Sequence, residues 1–227
     1  MSDPPDPMNA RPRKTLAGKP GNMTQGHPIA GTAGVVLAGG KSTRLGRDKA
    51  ALDFGGVTLL ERAVRSLAAL FSEVIVVTAK GKAPGAPGAV AVEDLYDDRG
   101  PLGGIHAALK AAKAGRCFVV GCDTPFVPAP LIRFLCGFRA PDVVIPASAA
   151  DRLHPLTAVY STSCLPHVEN LLGSGDNRII SFFPNVAVRV VNPREWRPYD
   201  PGALFTVNVN TMDDYRRSLR LLEQTRN

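Results

Sequence analysis

The chain is poor in the features that mark a membrane protein, a metal cage or a hydrolase. No window approaches the ~18 consecutive apolar residues of a membrane-spanning helix. The first thirty residues hold six prolines and no apolar run long enough for the core of a secretory signal. The expectation is a soluble, cytoplasmic protein. Only four cysteines occur, Cys117, Cys122, Cys136 and Cys164, separated by 4, 13 and 27 residues. Those gaps match neither a zinc site nor a redox pair, so reduced and mostly buried thiols are expected. The four histidines, His27, His106, His154 and His167, lack ligand spacing, and neither a G-x-S-x-G elbow nor a convincing Cys-His pair is present. Aromatics are 6% of the chain and do not interleave with any long Lys/Arg run, which argues against a nucleic-acid groove.

Two further absences concern phosphate. The Gly-Lys-Ser at 40–42 would belong to a P-loop only with a glycine at 35, where Val35 stands. The three spaced glycines of the dinucleotide loop are missing as well. What is there instead is VVLAGGKSTRLGRDK, Val35 to Lys49, an apolar run ending in two glycines and followed by Lys41, Arg44, Arg47 and Lys49 against Asp48 alone. Gly39 and Gly40 let the backbone turn tightly and bring N–H groups close to phosphate oxygens. Lys49 and Arg44 can then neutralise charge. The net charge is +7, of which residues 1–30 supply two units (Arg11, Arg13, Lys14 and Lys19 against Asp3 and Asp6). The mild remainder suits a small phosphorylated ligand better than a polyanion.

At 227 residues the chain is long enough for one α/β domain burying roughly 70% of its unfolded surface. Residues 1–30 read as a disordered extension and 31–227 as the domain. Strands are expected at 34–38, 73–78, 89–92, 117–121, 142–146 and 156–160. Helices are expected at 59–71, 103–115, 128–138, near 162–172, and at 211–223 behind a Thr-x-x-Asp cap. This alternation predicts a Rossmann-like, mostly parallel sheet with helices on both faces. The loop 79–88 reads as a mobile connector by composition.

Ligands of such sheets sit at the carboxyl ends of the strands. Three segments emerge there: AGGKSTRLGRDK, EDLYDDRGPLGG and CDTPF. Asp123 leaves the end of a buried strand, a poor place for an unpartnered charge, so a hard cation is its natural partner. Magnesium takes one or two carboxylates and completes its octahedron with water and phosphate oxygens. The plainer alternative is that Asp123 caps the turn before Pro125. Asp94, Asp97 and Asp98 form an acidic cluster facing the GPLGG glycines.

The segments VVLAGGKSTRLGRDKA, VEDLYDDRGPLGGIHAAL, GCDTPFVP, HPLTAVY and FTVNVNT, in this order, resemble the molybdenum cofactor guanylyltransferases, within the nucleotidyltransferase superfamily. The likeness runs from about residue 33 to 222. It implies that Leu37, Ala38 and Gly39 line the guanine and phosphate site beside Gly40, that Lys49 holds phosphates, that Asp94 contacts the nucleotide and that Asp123 binds Mg2+. Asn208 and Asn210 match a motif assigned to the molybdopterin side, although Asn210 with Thr211 also suits a helix cap. GTP and molybdopterin are the implied substrates, with other molybdenum cofactor biosynthesis proteins as candidate partners. A cytidylyltransferase of the same cofactor, a sugar-1-phosphate nucleotidyltransferase and a non-catalytic nucleotide-binding protein are the alternatives. The first thirty residues and the stretch Thr78 to Lys80 depart from the family pattern.

Overall fold

Runs of four to six residues with almost no polar interruption become the strands of one seven-stranded sheet. The computed structural model describes residues 20–21, 26–39, 49–82, 86–96, 99–148 and 152–226. The strands are β1 (Ala33–Leu37), β2 (Val74–Thr78), β3 (Val90–Glu93), β4 (Arg116–Gly121), β5 (Val143–Pro146), β6 (Thr157–Ser161) and β7 (Val188–Val191), in the order β3-β2-β1-β4-β6-β5-β7. All pairings between these strands are parallel except those of β6, which is antiparallel to both β4 and β5. The expected Rossmann-like, mostly parallel α/β fold is therefore what forms. Among the described residues no helix is long and apolar enough to cross a membrane.

Alternating residues of the strands face two separate cores. Val36, Val76, Phe118, Val120, Val144 and Val159 pack on one face. There they meet α1 (Leu59–Ala68) and α3 (Ala129–Cys136) through Leu60, Val64, Leu67, Leu131 and Leu135. Val35, Leu37, Ile75, Val77, Val119 and Ile145 face the other side. That face is covered by α2 (Gly100–Ala111) and α4 (Leu165–Ser174) through Leu102, Ile105, Val168 and Leu172. Helix α1 starts at a capping box in which the Thr58 hydroxyl accepts from Glu61 N and the Glu61 carboxylate accepts from Thr58 N, at 3.1 and 2.9 Å. A short α5 (Pro193–Trp196) and the long α6 (Met212–Arg226) close the chain. Burial pushes the thiols of Cys117, Cys136 and Cys164 up to about 12, and all four cysteines are buried thiols outside any disulfide, as expected.

Three readings need correction. The domain begins before residue 31, because Ile29 is buried in the α1 face of the core and its N–H donates to Leu70 O at 2.7 Å. Most of the expected extension, residues 1–19 and 22–25, lies outside the described residues, as do 83–85 of the loop read as mobile. Helix α2 begins at Gly100, three residues earlier than expected, because Pro101 suits a first helical turn. Strand β7 escaped notice because VRVV is short and its arginine interrupts the apolar run. It forms because β5 offers a parallel edge.

Candidate active site

The carboxyl ends of β1, β3 and β4 all open on one edge of the sheet, and each is followed by a segment singled out by composition. Lys49 opens a 3-10 turn (Lys49–Ala51) after the glycine-rich segment. Asp123 lies two residues beyond β4, and its carbonyl accepts the Val209 N–H at 2.8 Å. That backbone bond draws the segment 205–211 against the end of β4. As a result the Lys49 ammonium lies 2.7 Å from Asn210 Oδ1 and 3.5 Å from Asp123 Oδ2. Three residues from distant parts of the chain thus meet at one cation.

Asp94 stands immediately after β3. Its N–H donates to Thr78 O at 2.8 Å, and its Oδ1 accepts from Tyr96 N at 2.9 Å. Its carboxylate lies over Gly103: a Cβ there would come within 2.7 Å of both Asp94 oxygens. Only glycine permits that approach, which explains the first glycine of the Gly103-Gly104 pair. Gly121 answers the same need for Asp123, since a Cβ there would be 2.5 Å from Asp123 Oδ1. Each of the two carboxylates is seated on a glycine.

The other expected residues divide. Leu37 is 7% exposed, its side chain in the core against α2 and its backbone at the rim, where its carbonyl accepts from Cys122 N at 3.1 Å. Ala38 is half-buried and Gly39 exposed just past β1. Asn208 is half-buried near Asn210. Gly40, Arg44, Asp97 and Asp98 lie outside the described residues.

Magnesium can be weighed against the residues present. Among the described residues the Asp123 carboxylate has no side-chain partner closer than 3.5 Å, the distance of both Lys49 Nζ and Thr124 Oγ1, and its side chain is 26% exposed. A carboxylate at a buried strand end with only such distant neighbours retains lone pairs for a hard cation. One such ligand, with phosphate oxygens and water completing the octahedron, is the donor set magnesium prefers. The residues fit.

Several features escaped the sequence reading. Asp200 is 1% exposed and accepts the N–H groups of Leu204 and Phe205 at 3.0 and 2.9 Å, fixing the turn from which 205–211 departs. The Asp-Pro-Gly at 200–202 is a turn signal that could have revealed it. Arg62 donates from Nε to Pro125 O at 3.1 Å, with its guanidinium 5.6 and 5.7 Å from the rings of Phe54 and Phe126. His154 packs edge-on against Phe205, and burial, aided by Arg152, holds its imidazole below the usual histidine value. Asp214 accepts from the Thr211 hydroxyl, Thr211 N and Asn210 N. The expected cap of α6 is formed, and these bonds lower the Asp214 carboxyl below its usual range.

Residues 34–188 match the family described as the MobA-like NTP transferase domain. A protein of Pelotomaculum thermopropionicum named "Probable molybdenum cofactor guanylyltransferase" is 36% identical over 194 residues, covering 85% of this chain and 94% of that protein. A molybdenum cofactor guanylyltransferase of Syntrophotalea carbinolica is 33% identical over 185 residues, covering 81% and 88%. Among solved structures, molybdopterin-guanine dinucleotide biosynthesis protein A from Archaeoglobus fulgidus shares the fold, with a TM-score of 0.73 at 24% identity over 85% of this chain and 99% of that one.

Proposed function

The chain belongs to the MobA-like NTP transferase family, and from that premise we propose that it transfers GMP from GTP to the terminal phosphate of molybdopterin, metal-free or molybdenum-bearing. The products are the guanine dinucleotide form of the cofactor and pyrophosphate. The observation that supports this best is the meeting of Lys49, Asp123 and Asn210 within 3.5 Å of one ammonium, where the nucleotide segments meet the segment tied to the acceptor.

The acceptor phosphate attacks the α-phosphorus of GTP, a new P–O bond forms, and the bond to the β-phosphate oxygen breaks as pyrophosphate leaves. Lys49 offsets the charge of the phosphates, with Arg44 and the amides of Gly39 and Gly40 in the same role by their chemistry. Asp123 would hold magnesium, which when bound would supply charge neutralisation for the phosphates. Leu37 and Ala38 border the guanine site, Asp94 contacts the nucleotide, and Asn208 and Asn210 face the acceptor. A phosphate monoester is mostly dianionic above its second ionisation near pH 6, so the nucleophile needs no general base. His106 is buried, and His154 packs edge-on against Phe205. The reading includes a cytoplasmic location and contact with other proteins of cofactor biosynthesis.

The test is pyrophosphate release with molybdopterin, magnesium and each of GTP, CTP and ATP. Release with GTP alone is expected. Faster release with CTP would turn the assignment to cytidylyl transfer. Nucleotide binding without release from any acceptor, phosphosugars included, would leave a binding protein.

A further inference from the structure

The side-chain amide of Asn210 meets the Lys49 ammonium at 2.7 Å, across 161 residues of chain. An ammonium only donates, so the atom facing it is the amide oxygen and the NH2 group is turned away. Asn210 is itself held on its backbone side. Its N–H donates to Asp214 Oδ2 at 3.2 Å, and that carboxylate also accepts the Thr211 N–H and hydroxyl, each at 2.9 Å. One residue earlier, Val209 N is bonded to Asp123 O. The protein alone therefore fixes where the amide oxygen stands.

Asn210 and Asp123 act differently on the charge of Lys49. A close pair with Asp123 would neutralise both the cation meant for phosphate and the anion meant for a metal. A neutral amide oxygen holds the ammonium without cancelling its charge. The distances favour the amide: 2.7 Å to Asn210 against 3.5 Å to Asp123. We propose that Asn210 is a positioning residue for Lys49, keeping the ammonium off the Asp123 carboxylate and available to the nucleotide phosphates. This is a donor-side role, beyond contact with the acceptor, and it rests on the reading of Lys49 as the residue that holds phosphates. It makes Asn210 the link between the two halves of the reaction, its amide oxygen on the lysine that holds the nucleotide phosphates.

The experiment is a double-substitution cycle on nucleotide binding without acceptor, read by calorimetry on full-length protein with magnesium and GTP. Asn210→Ala should weaken binding about tenfold or more, the scale of one hydrogen bond to a charged group. In a Lys49→Ala background the same substitution should change binding by less than about threefold, because its effect runs through the lysine. Equal losses in both backgrounds would overturn the proposal. So would unchanged nucleotide binding in Asn210→Ala with only the acceptor KM raised. If Asn210→Ala does not fold, Asn210→Ser, which keeps a short polar side chain before α6, enters the same cycle. Should the wild type prefer another nucleotide, the cycle is run with that one. An error in the guanine assignment then leaves the coupling between Lys49 and Asn210 just as measurable.

Discussion

Strands β3, β2, β1 and β4 run parallel and end in a row, whereas β6, β5 and β7 mix directions and then hand over to a segment with little regular structure, 197–211. In the first region the backbone alone decides where functional groups emerge. Asp94 and Asp123 follow strand ends, and each needs only a glycine beneath it. In the second region side chains do that work. Asp200 binds two backbone N–H groups, Trp196 Nε1 donates to Ala147 O at 2.8 Å, and Asp142 accepts from both Ser163 Oγ and Ala187 N. Substitutions in the first region should thus damage chemistry and spare the fold, and those in the second, Asn210 aside, should damage the fold and the acceptor side.

The largest effect is expected at Asp123. Asp123→Asn keeps the shape and removes the charge, so turnover should fall roughly 100-fold or more with the melting temperature little changed. Near-normal turnover would break the contrast and remove Asp123 from the proposed magnesium site. Gly103→Ala sharpens it. Helix propensity alone favours alanine by about 0.8–1 kcal/mol, yet the new Cβ would press on the Asp94 carboxylate. Nucleotide affinity should drop about tenfold, the scale of one displaced charged hydrogen-bonding group, with no gain in melting temperature. Retained affinity in calorimetry would remove Asp94 from the site.

Asp200→Ala probes the other region by leaving two backbone N–H groups without partners. A loss of about 2 kcal/mol is expected, which for a chain of this size lowers the melting temperature by roughly 4–8 °C. The acceptor KM should rise, and nucleotide affinity should fall by less than the roughly tenfold expected of Asn210→Ala, because Asp200 reaches Asn210 only through the turn it holds. Equal damage to both substrates would erase the distinction between the regions.

Acidification should weaken the second region through His154. Its folded value lies below the unfolded one, near 6.5, so the unfolded chain binds more protons in that window. The His154 contribution is then complete above about pH 6.5 and diminishes as pH falls. A melting series from pH 7.5 to 5 should fall, and His154→Gln should flatten part of the fall. An unchanged slope would mean that the imidazole does not titrate with folding. The smallest effect is expected at the amino terminus. Removing residues 1–19 should leave turnover within about twofold, because chain ends are where truncation is most often tolerated. Removing residues 1–30 takes Ile29 from the core and should lower the melting temperature, while an equal response to both deletions would contradict a domain boundary that includes Ile29.

The first region was the more legible in the sequence. Buried parallel strands such as AGVVL and RCFVVG are continuous apolar runs, and both the glycines and the cations of the site follow them directly. The second region was harder to read. VRVV carries an arginine that suggests an exposed loop, and PREW is a single turn that declares itself only through its Asn192 cap. The acidic turn at Asp200 resembles any surface loop until Leu204 and Phe205 are seen to depend on it.

Composition, apolar periodicity and turn residues determined by themselves that this is one α/β domain, and that VVLAGG, the segment from Glu93 and CDTP stand at strand ends, because these signals are local and repeat within a few residues. Tertiary structure alone decided that Ile29 belongs to the core, that the Gly103-Gly104 pair lies beneath Asp94 and Leu37, and that Lys49 is shared between Asp123 and Asn210. A contact between side chains 161 residues apart leaves no periodicity in either segment. It exists only because β4 delivers Asp123 to the point where the backbone of Val209 can bind it.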